Sequence, residues 1–300
     1  MLLASASQVT AFGQTRVSVT PRSRAANKVL PSANIRLDVK LVLTPISVTD
    51  ALDRPLIDLH KGNFHIFEDD AEQDIASFSI SEAPVSVGLV FDSSRSMRNS
   101  IEDSRMAVEQ FMQTAAPEDE FLLVKFSDKP ELTTPFTHNA EEISQQLNLP
   151  IAHGFTALLD AMFLATQTMR HAVNPRKVLL VLTDGVDNNS RYSERELERL
   201  LREADVRVYA IGLFQRPEFL EKMAAETGGR ALWVRKLTEL PEAIETLSRQ
   251  IRSEYMVGYI SKKAENDGKY HKIRVAVEPP GGTRLPIHTS WRHGYLALND

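Results

Sequence analysis

The sequence predicts an α/β protein, a doubly wound and mostly parallel sheet with helices on both faces, joined to a small flanking β domain. Three observations carry that expectation. Short apolar runs alternate with amphipathic helical stretches from Val85 to Ile251. Apolar and polar residues alternate with period two before that region, and β character returns after it. The chain has 300 residues, 42% of them hydrophobic and 25% charged, enough for one long globular domain or two modest ones.

The first 34 residues are rich in Ser, Thr and Ala, with Arg16, Arg22, Arg24 and Lys28 as their only charges. Such a lead reads as a disordered leader, a transit peptide, or the tail of a secretory signal ending at Leu2, Leu3 and Ala4-Ser5-Ala6. From Ile35, apolar Leu37, Val39, Leu41 and Leu43 alternate with Arg36, Asp38 and Lys40, predicting a half-buried strand on that apolar face. Phe64 to Glu68 and Gln73 to Phe78 read as two strands around an Asp69-Asp70 turn. Val85 to Phe91 is a buried strand, followed by helical spacing at Ile101, Val108, Phe111 and Met112. Phe121 to Phe126 is the next strand, the stretch from Thr156 to about His171 a helix, and Val178 to Leu182 a strand apolar on both faces.

Ser193 and Glu196 have capping-box spacing, and Leu197, Leu200, Leu201 and Ala204 then mark one helical face. Val206 to Gly212 and Ala231 to Val234 are strands, and a helix runs from Leu240 to about Ile251. Tyr255 to Ile260 and His271 to Val277 return to β character, with the polar segment Lys262 to Gly268 between them suited to a hairpin. The expected division is 1–34 as leader, 35–82 with 253–300 as the small β domain, and 83–252 as the α/β domain.

Composition excludes several functions. Without cysteine there is no disulfide framework, iron–sulfur cluster, thiolate nucleophile or cysteine-bearing zinc site. A formal charge of −5 argues against non-specific nucleic-acid binding, and no apolar run approaches the roughly 20 residues of a spanning helix. There is no phosphate loop of the Gly-x-x-x-x-Gly-Lys type and no Gly-x-Ser-x-Gly elbow.

In an open α/β sheet the ligand crevice lies beyond the carboxyl ends of the strands. Asp92-Ser93-Ser94-Arg95-Ser96 follows one apolar strand, Thr183-Asp184-Gly185 follows another, and Gly154-Phe155-Thr156 leads a helix between them. Carboxylate and hydroxyl oxygens converging there suit a hard divalent cation, magnesium first and manganese or calcium next. Asp-x-Ser-x-Ser, then Gly-x-Thr-Ala-Leu-x-Asp, then Thr-Asp-Gly, in this order, resembles the von Willebrand factor A domain and its metal ion-dependent adhesion site, or MIDAS. Ala83 to Gly88, Phe64 to Asp69 and the terminal Arg292-His293-Gly294-Tyr295 extend the likeness to the bacterial VWFA-related family of acidobacterial type.

The resemblance implies a metal held by Ser94, Ser96 and Thr156 through hydroxyls, and by Asp92 and Asp184 largely through water. It implies a non-enzymatic protein-binding module in which a partner's Glu or Asp carboxylate completes the coordination. It also implies export, periplasmic or secreted, which favours the truncated-signal reading of the leader. In relatives, ligand capture is coupled to movement of the domain's last helix, here Leu240 to Ile251. Two alternatives remain open, a cytoplasmic adaptor of an ATPase machine and a metal-dependent hydrolase using Asp160 or Asp187. Arg95 and Phe155 stand where relatives often have glycine. Asp187, Asn188 and Asn189 near Asp184 read as a solvated helix-leading loop, with an extension of the site or a calcium site as the alternative, and His153 lies beside the Thr156 loop.

Overall fold

A computed structural model describes residues 41–81, 83–148, 154–216, 218–262, 268–279 and 286–297. The leader, His153 and most of the segment expected to form a hairpin lie outside them.

The α/β region begins with β5 (Val85–Asp92) and continues through α1 (Ile101–Met112), β6 (Glu120–Phe126), β7 (Pro130–Thr137), α2 (Ala140–Leu147) and α3 (Leu158–Met169). It ends with β8 (Arg176–Thr183), α4 (Glu194–Ala204), β9 (Arg207–Leu213), α5 (Glu218–Thr227), β10 (Arg230–Val234) and α6 (Leu240–Arg252). The strands form one sheet in the order β10-β9-β8-β5-β6-β7, parallel except for β7.

Each face of that sheet buries its own core. Val87, Leu89 and Phe91 of β5 pack with Val108, Phe111, Ile244 and Leu247 from α1 and α6. On the other face Val90 and Leu122 meet Met162, Leu197 and Met223 from α3, α4 and α5. Two-sided coverage is why β5 and β8 read as unbroken apolar runs rather than alternating ones. The Ser193 and Glu196 box is present, Ser193 Oγ accepting from the Glu196 N–H at 3.3 Å while Glu196 Oε2 accepts from Ser193 N–H at 2.9 Å.

Strands before and after this region share two further sheets. Before it come β1 (Leu41–Asp50), β2 (Phe64–Glu68), β3 (Ala71–Gln73) and β4 (Ile75–Ser81). After it come β11 (Glu254–Ile260), β12 (Tyr270–Val277), β13 (Ile287–Trp291) and β14 (Gly294–Leu296). One sheet runs β13-β1-β11-β4 and the other β14-β12-β2-β3, with a common core of Ile46, Phe64, Ile66, Tyr255, Val257 and Ile273.

Three local expectations are corrected. β11 pairs with β1 and β4 while β12 pairs with β2 and β14, so the connection between β11 and β12 crosses between sheets and is not a hairpin. In β1 the buried face is Val42, Thr44, Ile46 and Val48, whereas Leu41 and Leu43 are 45% and 44% exposed. Thr44 fits the core as a small β-branched residue, so the phase is set by residues 42–48 rather than by the alternation that leads into them. The stretch from Gln73 to Phe78 is split at Asp74, with β3 in one sheet and β4 in the other. The sequence reading also passed over β7, α2, α5, β13 and β14.

Candidate metal centre

β5 connects onward to β6 on one side while its other neighbour, β8, connects onward to β9 on the opposite side, so the connections leaving these two strands diverge and open a crevice at their carboxyl ends. Asp92 closes β5 and Asp184 directly follows β8, which brings both carboxylates to that crevice.

Hydrogen bonds join the predicted residues. Ser94 Oγ and Ser96 Oγ are 3.0 Å apart, and Ser96 Oγ donates to Asp184 Oδ1 at 2.7 Å. Asp92 Oδ1 accepts the Ser94 N–H at 2.8 Å, and its Oδ2 accepts from Thr183 Oγ1 at 2.5 Å. Thr156 reaches the same place from the start of α3, since a β-carbon placed on Gly185 would lie 3.4 Å from Thr156 Oγ1 and 3.9 Å from Ser96 Oγ. All five predicted residues therefore meet at one end of the sheet.

Asp92 is not the exposed loop carboxylate that its sequence context suggests. As the last residue of a central strand it is fully buried, and burial pushes its carboxyl up to about 6 against the hydrogen bonds from Thr183 and Ser94. Burial also raises Asp184, opposed by the Ser96 hydroxyl. Among the described residues no basic side chain offsets either shift. Two poorly solvated carboxylates with hydroxyl neighbours and no cation of their own fit a bound divalent metal, whose charge would remove the cost of ionising them together.

The supporting residues were largely missed by sequence reading. Gly154 has φ +123°, and a β-carbon there would fall 2.1 Å from the Asp128 carboxylate, so only glycine fits. Asp128 Oδ1 accepts the Phe155 N–H at 2.8 Å, and Asn189 Nδ2 donates to the Asp128 carbonyl at 2.8 Å. Asn188 clamps Thr156 from both sides, its Oδ1 accepting the Thr156 N–H at 2.9 Å and its own N–H donating to the Thr156 carbonyl at 3.0 Å. The 187–189 segment, expected as a solvated loop in preference to an extension of the site, thus positions a predicted ligand. Its Asn-Asn pair was the available signal, because short amide side chains satisfy neighbouring backbone.

Asp160 and Asp187 are committed elsewhere. Asp160 accepts from the Arg191 and Tyr192 N–H groups, and Asp187 Oδ1 accepts from Ser190 Oγ and from the Leu159 N–H. Arg95 is exposed at the rim. Phe155 and Val186 are also exposed there, at 63% and 68%. From Gly185 a cleft of about 660 Å³ runs over Leu158, Val186, Phe219 and Leu220, with Arg216 and Lys222 at its side.

A doubly wound sheet with an acid and hydroxyl cluster at its switch point defines an α/β domain of the Rossmann-like class. Residues 87–186 match the family described as von Willebrand factor type A domain, and the chain carries such a domain. Over 204 residues it is 30% identical to inter-alpha-trypsin inhibitor heavy chain H4 of Bos taurus, covering 60% of this chain and 21% of that protein. The Sus scrofa protein of the same name is 30% identical over 167 residues, covering 50% of this chain and 18% of that protein. The chain thus spans about a fifth of the length of these curated relatives. In fold it is similar to a von Willebrand factor type A structure from Catenulispora acidiphila, with TM-score 0.53 and 13% identity over 76% of this chain and 73% of that one. It is also similar to proximal thread matrix protein 1 of the mussel byssus, solved with a zinc-occupied MIDAS motif, with TM-score 0.50 and 19% identity over 61% of this chain and 49% of that one.

Proposed function

We propose that this protein is a divalent-cation-dependent protein-binding module in which Asp92, Ser94, Ser96, Thr156 and Asp184 hold the metal and a partner's Glu or Asp carboxylate completes its coordination. The single observation that carries the reading is the meeting of two buried carboxylates, which have no basic partner among the described residues, with the Ser94, Ser96 and Thr156 hydroxyls at the sheet's switch point. Magnesium prefers oxygen ligands and keeps several waters, so a donor set weighted toward neutral hydroxyls leaves it demanding one more anion. The bound metal would supply that electrophilic position. Asp92 orients the Ser94 backbone, Asp184 orients Ser96, and Asn188 holds Thr156 at the rim.

The exposed Phe155 and Val186 favour a protein partner, since apolar side chains around a polar anchor are the usual anatomy of a recognition surface. A non-enzymatic role is supported by the hydrogen-bond commitments of Asp160 and Asp187, the acids a hydrolase would need as base or nucleophile. Among the described residues no helix is long and apolar enough to cross a membrane. An extracytoplasmic location belongs to the same proposal and rests on the family resemblance. The domain limits read from the sequence, 83–252 and 35–82 with 253–300, are proposed as well, supported by the two sheets that the flanks share.

The test is a panel of immobilised peptides, each with one Asp, Glu, Asn or Gln, probed by surface plasmon resonance in magnesium and in EDTA. Binding confined to the acidic peptides and abolished by EDTA is expected. Retention unaffected by EDTA would rule the reading out.

A further inference from the structure

The flanking sheets hold a second group of ligand atoms, remote in sequence from the first. Glu68 ends β2, Asp69 lies in the turn after it, and His271 is on β12. One ligand atom from each comes within 4.8 Å of the others. His271 Nδ1 is 2.8 Å from Asp69 Oδ2 and 3.6 Å from Glu68 Oε1. Zinc held at about 2.0–2.2 Å by nitrogen and oxygen in tetrahedral array keeps its ligand atoms roughly 3.3–3.6 Å apart. The Glu68 separation matches this, while the 2.8 Å contact with Asp69 is a direct hydrogen bond that a metal would replace by moving the partly exposed Asp69 outward by about half an ångström.

Independent of that proximity, one oxygen of Glu68 is left unsatisfied. It is 1% exposed, and its Oε2 has no hydrogen-bond partner. The hydroxyl of the buried Tyr259 lies close to Glu68, outside ordinary hydrogen-bond geometry, and burial together with the Glu68 charge pushes it up. Oε1 accepts from Ser261 Oγ at 2.9 Å and from the Tyr295 hydroxyl at 3.1 Å. The contrast with Glu254 is direct. That equally buried carboxylate is neutralised by two arginines, Arg176 and Arg207, whereas among the described residues Glu68 has no Arg or Lys ion pair and meets only the His271 imidazole. A buried carboxylate beside a second acid, with an orphaned oxygen, is costly unless something positive sits between them.

We infer that Glu68, Asp69 and His271 form a second, structural metal site in the β layers, specific for a zinc-type cation and separate from the site above β5. An imidazole with two carboxylates suits zinc, while magnesium is poorly served by a nitrogen ligand. Asp69 is the partly exposed member and provides the way in. Bound metal would fasten the β2–β3 turn to β12.

The test uses the full chain with its first site disabled by Asp92→Asn and Asp184→Asn. Equilibrium dialysis against Zn²⁺ at pH 7.5 should find one zinc per chain, with a rise in Tm of about 5 °C. Adding His271→Gln should reduce zinc to none. Absence of zinc from the folded double variant, or its retention after His271→Gln, would overturn the inference and leave His271 as a plain ion-pair partner. Should the triple variant fail to fold, cobalt titration of the double variant decides. Selective paramagnetic broadening of the His271 imidazole resonances supports the site, and unchanged resonances refute it.

Discussion

Glu254→Gln tests what holds the α/β region to the β layers. Glu254 begins β11 and is buried, with Oε2 accepting from Arg176 Nη2 at 2.9 Å and Oε1 serving both Arg207 Nη1 and the Tyr209 hydroxyl. Arg176 also donates to the carbonyls of Ala83, just before β5, and of Ile251, near the end of α6. One guanidinium therefore meets the chain where it enters the α/β region and where it leaves. Burial opposes the Arg207 charge, and the Glu254 carboxylate outweighs it, so the guanidinium stays protonated. Removing one member of a buried pair costs about 3–5 kcal/mol, and two stranded guanidiniums put this case near the upper end. Against a total stability of about 5–15 kcal/mol that is a large fraction. At roughly 2–4 °C per kcal/mol for a chain of this size, Tm should fall by about 10–20 °C. Urea unfolding followed by near-ultraviolet circular dichroism measures the loss. Replacing Arg176 and Arg207 by methionine in the same variant should recover part of it. A loss below about 1 kcal/mol would refute the reasoning, because it would mean the charges are solvated and not buried together.

The remaining predictions concern the metal centre. Asp92 has its carboxyl raised to about 6 in the folded metal-free chain, so its protonated form is stabilising at low pH and the advantage is lost as pH rises from about 4 through 6. Asp92→Asn should therefore stabilise the chain in EDTA at pH 7 by up to about 3 kcal/mol and leave it almost unchanged at pH 4. Paired thermal melts across that range check this, and a pH-independent difference would count against it. Metal affinity should fall about tenfold per pH unit below 6, as protons compete for Asp92, and calorimetry in buffers of different ionisation enthalpy should register the proton released. Gly154→Ala meets the Asp128 carboxylate at φ +123°, so metal affinity should drop at least tenfold, while Gly62→Ala, with nothing nearby, should leave it unchanged. Asn188→Ala removes one of the two hydrogen bonds holding Thr156 and should weaken metal binding severalfold with Tm lowered by only a few degrees.

Much of this was legible because it was local. Apolar runs ending in Asp92 and Thr183 announced strands covered on both sides, and the rule that crevices open at strand ends directed attention to the residues that meet there. What stayed hidden depends on long-range partners. Asp128 and Asn188 act through bonds to the Gly154–Thr156 segment, which lies 26–34 positions away in sequence and has no motif that names them. β13 and β14 are short edge pieces whose pairing is supplied by β1 and β12. Leu41 and Leu43 misled because alternation shows that two faces differ without showing which one is buried. The burial of Asp92 could not be read either, since a carboxylate following an apolar run looks like the first residue of a loop until the sheet is assembled around it.

Isothermal titration of the full chain with Mn²⁺ at pH 7.5, beside its Asp92→Asn and Asp184→Asn variants, tests the central claim most directly. One saturable Mn²⁺ at the carboxyl end of β5 is expected, lost from both variants while their folded spectra persist. Equal Mn²⁺ affinity in the three proteins would contradict it.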